Sequence, residues 1–230
     1  TENKRFPSVG LFDMTVGLGA SAKGTHMSRF IEVLEDNCSE ISYEKVLHLS
    51  EAMLARLEAE TGYIKVTFPF FMEKLAPVSK VRGIMDYEVT YEVICKKNSP
   101  SIVQLEVIVP VTSLCPCSKN ISDYGAHNQR SHITVRASLK SSALQVEDII
   151  KIAETSASCE LWSILKRPDE KFVTERAFNN PKFVEDLVRD VSIKLQKLIA
   201  QNLIGGFSVE SENFESIHNH SAFARIDQNI

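Results

Sequence analysis

Long stretches of this chain alternate apolar and polar residues with a period of two, and that alternation constrains its fold more than any other feature. Val103, Leu105, Val107, Val109 and Val111 share one side of an extended segment, as do Ile133, Val135, Ala137 and Leu139. Ile64, Val66, Phe68 and Phe70 are interleaved with Lys65, Thr67 and Pro69, and Tyr87, Val89, Tyr91 and Val93 with Glu88, Thr90 and Glu92. Side chains on a strand point alternately to its two faces. Each stretch therefore reads as a strand with one buried and one solvated face, the pattern of antiparallel sheets. Further strands are expected near Leu11–Leu18, Gly206–Ser211 and Ser221–Ile226.

Elsewhere the period is helical. Val146, Ile149, Ile150, Ala153, Ala157 and Leu161 predict a helix ending near Leu165. Asn180-Pro181 reads as a helix start, Val184, Leu187, Val188, Val191, Leu195 and Leu198 as its apolar stripe, and Gly205-Gly206 as its stop. Tyr43–Glu60 and His26–Asp36 complete the helices. With one more strand ahead of Leu11, both halves read ββααββ. The polar turn Lys96–Pro100 joins them, giving modules 1–98 and 99–230. The expected class is α+β, with antiparallel sheets and helix pairs on one face.

Composition narrows the partners. The 230 residues are 43% hydrophobic and 24% charged, enough for one large core or two small ones. A net charge of −4 argues against nucleic acid or an anionic membrane as partner, but a local basic pocket could still hold an anionic small molecule. No stretch reaches the ~18 apolar residues of a membrane span. Thr1-Glu2-Asn3-Lys4-Arg5 lacks the apolar segment of a signal peptide, so a cytoplasmic protein is expected. Because the first residue is not Met, part of the natural N-terminus is expected to be missing. Five cysteines in such a chain are not read as a disulfide framework. Cys115 and Cys117, separated only by Pro116, are badly placed to bridge and point to metal or redox chemistry.

Ser113-Leu114-Cys115-Pro116-Cys117-Ser118-Lys119 follows one strand, and Gly125–His132 leads into the next. If those strands pair, Cys115 and His127 stand at the two ends of one hairpin loop. A thiolate and an imidazole so placed are ligands for zinc or iron; a lone cysteine is otherwise a small buried hydrophobe. A third ligand is sought in the polar loop after Leu165, where spacing leaves Asp169, Glu170 and Glu175 open. Three mixed ligands plus water is the catalytic pattern, whereas structural zinc takes four closed ligands. Glu210–His220 packs carboxylates and imidazoles that could share a water's protons, or form only a polar turn. Glu185 falls in a first helical turn, where the helix dipole favours a carboxylate. As a recognition group it would accept two N–H donors from a guanine edge. Lys23, His26, Arg29, Lys80, Arg82, Lys119, Arg130 and Arg167 are available to a triphosphate. No GxxxxGK[ST] or GxGxxG motif is present.

Six segments together resemble the GTP cyclohydrolase IB family: KGTHMSRF (Lys23 to Phe30), SLCPCSK (Ser113 to Lys119), GAHNQRSH (Gly125 to His132), LKRPDEKFVTE (Leu165 to Glu175), NPKFVED (Asn180 to Asp186) and ESENFESIHNHSA (Glu210 to Ala222). The resemblance implies the tunnelling fold in bimodular form and conversion of GTP and water to formate and 7,8-dihydroneopterin triphosphate, the first step of folate-type pterin biosynthesis. It implies one divalent metal per active site (zinc, manganese or iron(II)), held by Cys115, His127 and Glu170. Glu185 would anchor the guanine, with Lys23, His26 and Arg130 among the substrate contacts, and Cys117, Glu215 and His218 would line the reacting centre. The assembly implied is a homo-oligomer, a tetramer, with active sites at subunit interfaces. Two other readings compete: NADPH-dependent nitrile reduction with Cys117 as nucleophile, and a binding module with a structural zinc.

Overall fold

The computed structural model describes residues 6–20 and 24–230. In chain order they form β1 (Leu11–Val16), α1 (Ser28–Asn37), α2 (Tyr43–Arg56), β2 (Thr61–Leu75), β3 (Arg82–Lys96), β4 (Ile102–Leu114) and α3 (Pro116–Ile121). There follow β5 (Asn128–Leu139), α4 (Val146–Glu154), β6 (Cys159–Glu160), α5 (Arg167–Asn179), α6 (Val184–Ala200), β7 (Ile204–Asn213) and β8 (Ala222–Gln228). The strands make one antiparallel sheet in the order β1-β2-β3-β4-β5-β7-β8, with β6 on β4 beyond the reach of β3.

The alternation read from the sequence sets this sheet. Ile64, Val66, Val89, Val93, Leu105, Val107, Ile133, Val135 and Val209 are buried on the face covered by helices. Onto them α1 packs Phe30 and Val33, α2 Leu49 and Met53, α4 Ile149 and Ile150, and α6 Leu187, Val191 and Leu195, forming one continuous apolar cluster. A slip of one residue would turn any of these stripes to solvent, so burial locks the strand register. The opposite face is polar. There Arg136 bridges Glu92 and Glu106 across three strands, each at 3.1 Å. The joint between the halves is a hairpin turn, with Asn98 at φ 59° and Ile94 paired to Ile102, so the sheet runs across it unbroken.

Four local expectations are corrected. The helix expected to reach Leu165 ends at Glu154. Ala157, which continued its apolar period, is packed in the turn that brings Cys159 back to Thr112 of β4. The stretch after Leu165 is helix α5 rather than a loop. Asn180-Pro181 does not start α6, whose N-cap is Phe183. Asn180 caps the end of α5, and its side-chain amide donates to the carbonyls of Ala157 and Ser158 at 2.8 and 3.2 Å. Gly205-Gly206 does not stop α6, which ends at Ala200 with Asn202 at φ 57° making the left-handed turn. Those glycines lie in β7, where a Cβ on Gly206 would sit 2.1 Å from the Asn229 carbonyl oxygen.

Candidate active site

At one corner of the sheet the apolar stripes turn polar. On the helix-covered face, the stripe of β4 continues from Val111 to Ser113. That of β5 runs back from Ile133 to Ser131 and Gln129, and that of β7 on from Val209 to Ser211 and Asn213, and all of these residues are buried. Register places Ser113 opposite Gln129 and Ser131 opposite Asn213. Gln129 Nε2 donates to Ser113 Oγ at 2.8 Å, the Ser113 and Ser131 hydroxyls are 2.9 Å apart, and Ser131 Oγ lies 2.7 Å from Asn213 Oδ1. Buried polar groups are usually hydrogen-bonded, and these four bond one another, whereas the buried Ser211 hydroxyl has no partner among the described residues.

Cys115 and His127 sit directly above this network. The Cys115 N–H donates to the His127 carbonyl at 3.1 Å, closing the loop mouth as the hairpin reading required. Pro116 opens α3 with its preset φ, and Cys115 is the N-cap, its sulfur accepting from Ser118 N at 3.5 Å. Ser118 Oγ bonds both sides of the mouth, donating to Cys115 O and accepting from His127 N, each at 3.2 Å. The His127 ring meets Gln129 Oε1 through Nδ1 at 3.0 Å, and Glu215 Oε2 lies 3.9 Å from the same nitrogen. Both side chains are 12% exposed. His218 stands edge-on to His127 with ring centroids 6.4 Å apart, and His220 stacks on His218 at 5.2 Å. Their loop, residues 214–221, is pinned by Phe214, whose N–H donates to Arg130 O at 3.0 Å and whose ring packs on His132 at 4.9 Å. Cys117 is exposed in the first turn of α3.

None of the acidic residues singled out on α5 completes a metal-binding group with this cluster. Among the described residues, no group of three or more His, Cys, Asp or Glu is close enough to hold a metal ion. Glu170 is exposed in the first turn of α5, the end opposite Ala177, which packs on Leu114 and Cys159. Seven helical steps separate the two, about 10 Å along the axis. Asp169, left open as an alternative, is fully buried and already engaged. It accepts from Val78 N, Ser79 N and Lys166 N at 2.8 Å each and from Ser79 Oγ at 2.6 Å. Burial alone would raise its carboxyl, but the Ser79 hydroxyl and these amides outweigh burial and hold it far below the usual carboxylate range. Glu175 is exposed further along α5.

Glu185 is exposed in the first turn of α6, and the connection before it is tied to the site strand by Lys182 N donating to Leu114 O at 3.1 Å. Arg130 is exposed at the start of β5. His26 is exposed ahead of α1, and Lys23 lies outside the described residues. Ser113, Gln129, Ser131 and Asn213 were missed from the sequence. Their signal was there: each is polar at a position where the strand's two-residue period calls for a core side chain.

The profile described as type I GTP cyclohydrolase folE2 matches residues 1–224. The chain belongs to that family. The GTP cyclohydrolase FolE2 of Burkholderia ambifaria is 57% identical over 222 residues, covering 96% of this chain and 81% of that one. FolE2 of Azoarcus sp. strain BH72 is 56% identical over 221 residues, with the same coverage of 96% and 81%. Membership makes the chain a type IB GTP cyclohydrolase, a hydrolase acting on GTP. A uricase from Bacillus fastidious superposes with a TM-score of 0.53 at 10% identity, covering 89% of this chain and 74% of that one. A hyperthermostable mutant of Bacillus sp. TB-90 urate oxidase gives 0.51 at 10% identity, covering 88% and 76%. At that identity the likeness shows the fold alone, the tunnelling fold expected from the resemblance.

Proposed function

We propose that the polar corner of the sheet is where this enzyme converts GTP and water into formate and 7,8-dihydroneopterin triphosphate. The observation that carries the assignment is the juxtaposition of Cys115 and His127 across one loop mouth, with Glu215 3.9 Å from the same imidazole. A thiol sulfur beside an imidazole whose second nitrogen is already hydrogen-bonded suits one divalent metal per site: zinc, manganese or iron(II). Cys115 and His127 would hold it, with Glu170 as third ligand. When bound, such an ion lowers the pKa of a water.

The remaining roles fall to the chain's own side chains. Glu185 accepts the N1–H and exocyclic amine of the guanine. Glu215, mostly buried beside His127, takes a proton from the water that adds to C8. His218 delivers a proton to N7 as the imidazole ring opens, and Cys117 lines the reacting centre. Lys23, His26 and Arg130 meet the substrate's phosphates.

Because Glu170 stands apart from the Cys115–His127 pair within one chain, we read the complete site as formed between copies in a homo-oligomer, a tetramer. The free edges of the sheet support assembly: β1 and β8 end it, with Leu11 76% and Phe223 59% exposed. Residues 1–98 and 99–230 are its two modules. Among the described residues no helix is long and apolar enough to cross a membrane, and we place the enzyme in the cytoplasm.

The test is incubation of the purified, chelated protein with GTP and a panel of divalent metals, reading formate release and the fluorescence of the oxidised pterin. Metal-restored turnover that Cys115→Ala abolishes is the expected result. Turnover that no metal affects, or that survives Cys115→Ala, would overturn the site.

A further inference from the structure

Four buried polar side chains stand behind His127 that no step above uses. Gln129 is 7% exposed, Ser113 1%, Ser131 0% and Asn213 3%. They run in one line from His127 Nδ1: to Gln129 Oε1 at 3.0 Å, from Gln129 Nε2 to Ser113 Oγ at 2.8 Å, across to Ser131 Oγ at 2.9 Å and on to Asn213 Oδ1 at 2.7 Å.

Proton accounting gives the Gln129 end of the line a direction. A serine hydroxyl has one proton to give, and an amide oxygen has none. Asn213 Oδ1 can only accept, so Ser131 donates to it. The same hydroxyl also points at Ser113 Oγ, 2.9 Å away, and its one proton serves one of these two acceptors at a time. Ser113 Oγ accepts from the Gln129 Nε2 amine at 2.8 Å. That leaves Oε1 facing His127, and an oxygen there requires a proton on Nδ1. A neutral imidazole carries one proton, so Nε2 is left with a free lone pair. Turning the Gln129 amide round would set its oxygen against Ser113 and its amine against His127. The competing acceptor, Glu215 Oε2, is 3.9 Å from Nδ1, beyond hydrogen-bond reach.

We infer that Gln129 is a positioning residue that holds His127 in the tautomer protonated on Nδ1, and that Ser113, by accepting from its amine, fixes which way its amide points. The inference rests on the reading of His127 as a metal ligand. Its consequence is that the ring is set to offer Nε2 before any ion arrives. Partners that orient a ligating imidazole in this way are typically worth about 10–100-fold in metal affinity.

The test uses the full chain in two forms. In the metal-free protein labelled with nitrogen-15, two-bond proton–nitrogen spectra report the His127 tautomer directly, with His127→Ala assigning the signal. The wild type is expected to show Nδ1–H. Gln129→Leu removes the acceptor and moves the ring toward Nε2–H. Gln129→Glu restores an acceptor and keeps Nδ1–H. In parallel, cobalt(II) titrations followed by the sulfur-to-metal absorption band are expected to show about 10–100-fold weaker binding for Gln129→Leu, with Gln129→Glu near the wild type.

If Gln129→Leu fails to fold, Ser113→Ala decides. It frees the amide to turn and is expected to give a mixture of tautomers. Persistence of Nδ1–H in whichever of the two variants folds, or cobalt binding unchanged in it, overturns the inference and hands the role to Glu215. A separate control isolates the parent reading: if His127→Ala binds cobalt as the wild type does, His127 is not a ligand, whatever Gln129 does.

Discussion

Lys74→Met should be among the most damaging single changes outside the site. Lys74 Nζ donates to Glu154 Oε1 at 2.6 Å and to Leu161 O at 2.7 Å, with the Trp162 ring 4.9 Å beneath it. The ion pair is nearly dry, with side chains 10% and 11% exposed. Glu154 Oε1 also accepts from the hydroxyl of Tyr87 at 2.9 Å. Burial, and then the charge of Glu154, push that hydroxyl well above the ordinary phenol range. Removing the lysine strands a buried carboxylate with one neutral donor and orphans a carbonyl. Breaking such a pair from one side costs about 3–5 kcal/mol. For a chain of this size about 2–4 °C accompanies each kcal/mol, so the midpoint should fall by about 6–20 °C.

Urea unfolding at fixed protein concentration measures the loss. The informative partner is the double variant Lys74→Met with Glu154→Gln. A neutral amide can still accept from Tyr87 without needing a cation, so the double variant should be more stable than Lys74→Met alone. If Lys74→Met lies within about 1 kcal/mol of the wild type, or if the double variant is no better than the single, the cost is not that of an unpaired buried charge and the reasoning fails.

Three further outcomes follow from the site and its surroundings. His218→Ala should lower turnover by about 10²–10⁴-fold, the range for one positioned general acid, without shifting the unfolding midpoint; full turnover would remove the role. Mixing inactive Cys115→Ala and Glu170→Ala chains should restore part of the activity if the ligands come from different copies, whereas no recovery over a range of mixing ratios would place them in one chain. Asp169, whose carboxyl is held low in the folded protein, contributes stability that is whole above its unfolded value of 3.8 and is lost as the pH falls toward the folded value. The gap in urea midpoint between the wild type and Asp169→Asn should therefore be widest near neutrality and narrow below pH 4, and a gap that does not change with pH would contradict it.

What sequence alone determined about this protein is what depends on local period and on contiguous motifs. Val103 to Val111 and Ile133 to Leu139 could be placed on strands, and on the correct face, because a half-buried strand repeats every two residues. One slip would expose the whole stripe. The hairpin mouth that joins Cys115 to His127 was legible for the same reason, since pairing of the flanking strands dictates it. Cys115, His127, Glu215 and His218 were marked as chemical and do gather at one corner.

Tertiary structure alone decided the rest. Helix α5 has no apolar stripe to announce it; its start carries the local signals of Pro168 and of Asp169 accepting from Lys166 N, but Asp169 also reaches Ser79, ninety residues away, and the helix end is held by Asn180 reaching back to Ala157 and Ser158. Those long-range bonds override the Asn-Pro start signal and turn the loop expected around Glu170 into a helix that carries it to the surface. The line from Gln129 to Asn213 depends on three strands meeting at one end. Sequence shows each polar substitution in its stripe separately, but only the register of the sheet brings them within hydrogen-bond distance and so decides which nitrogen of His127 keeps its proton.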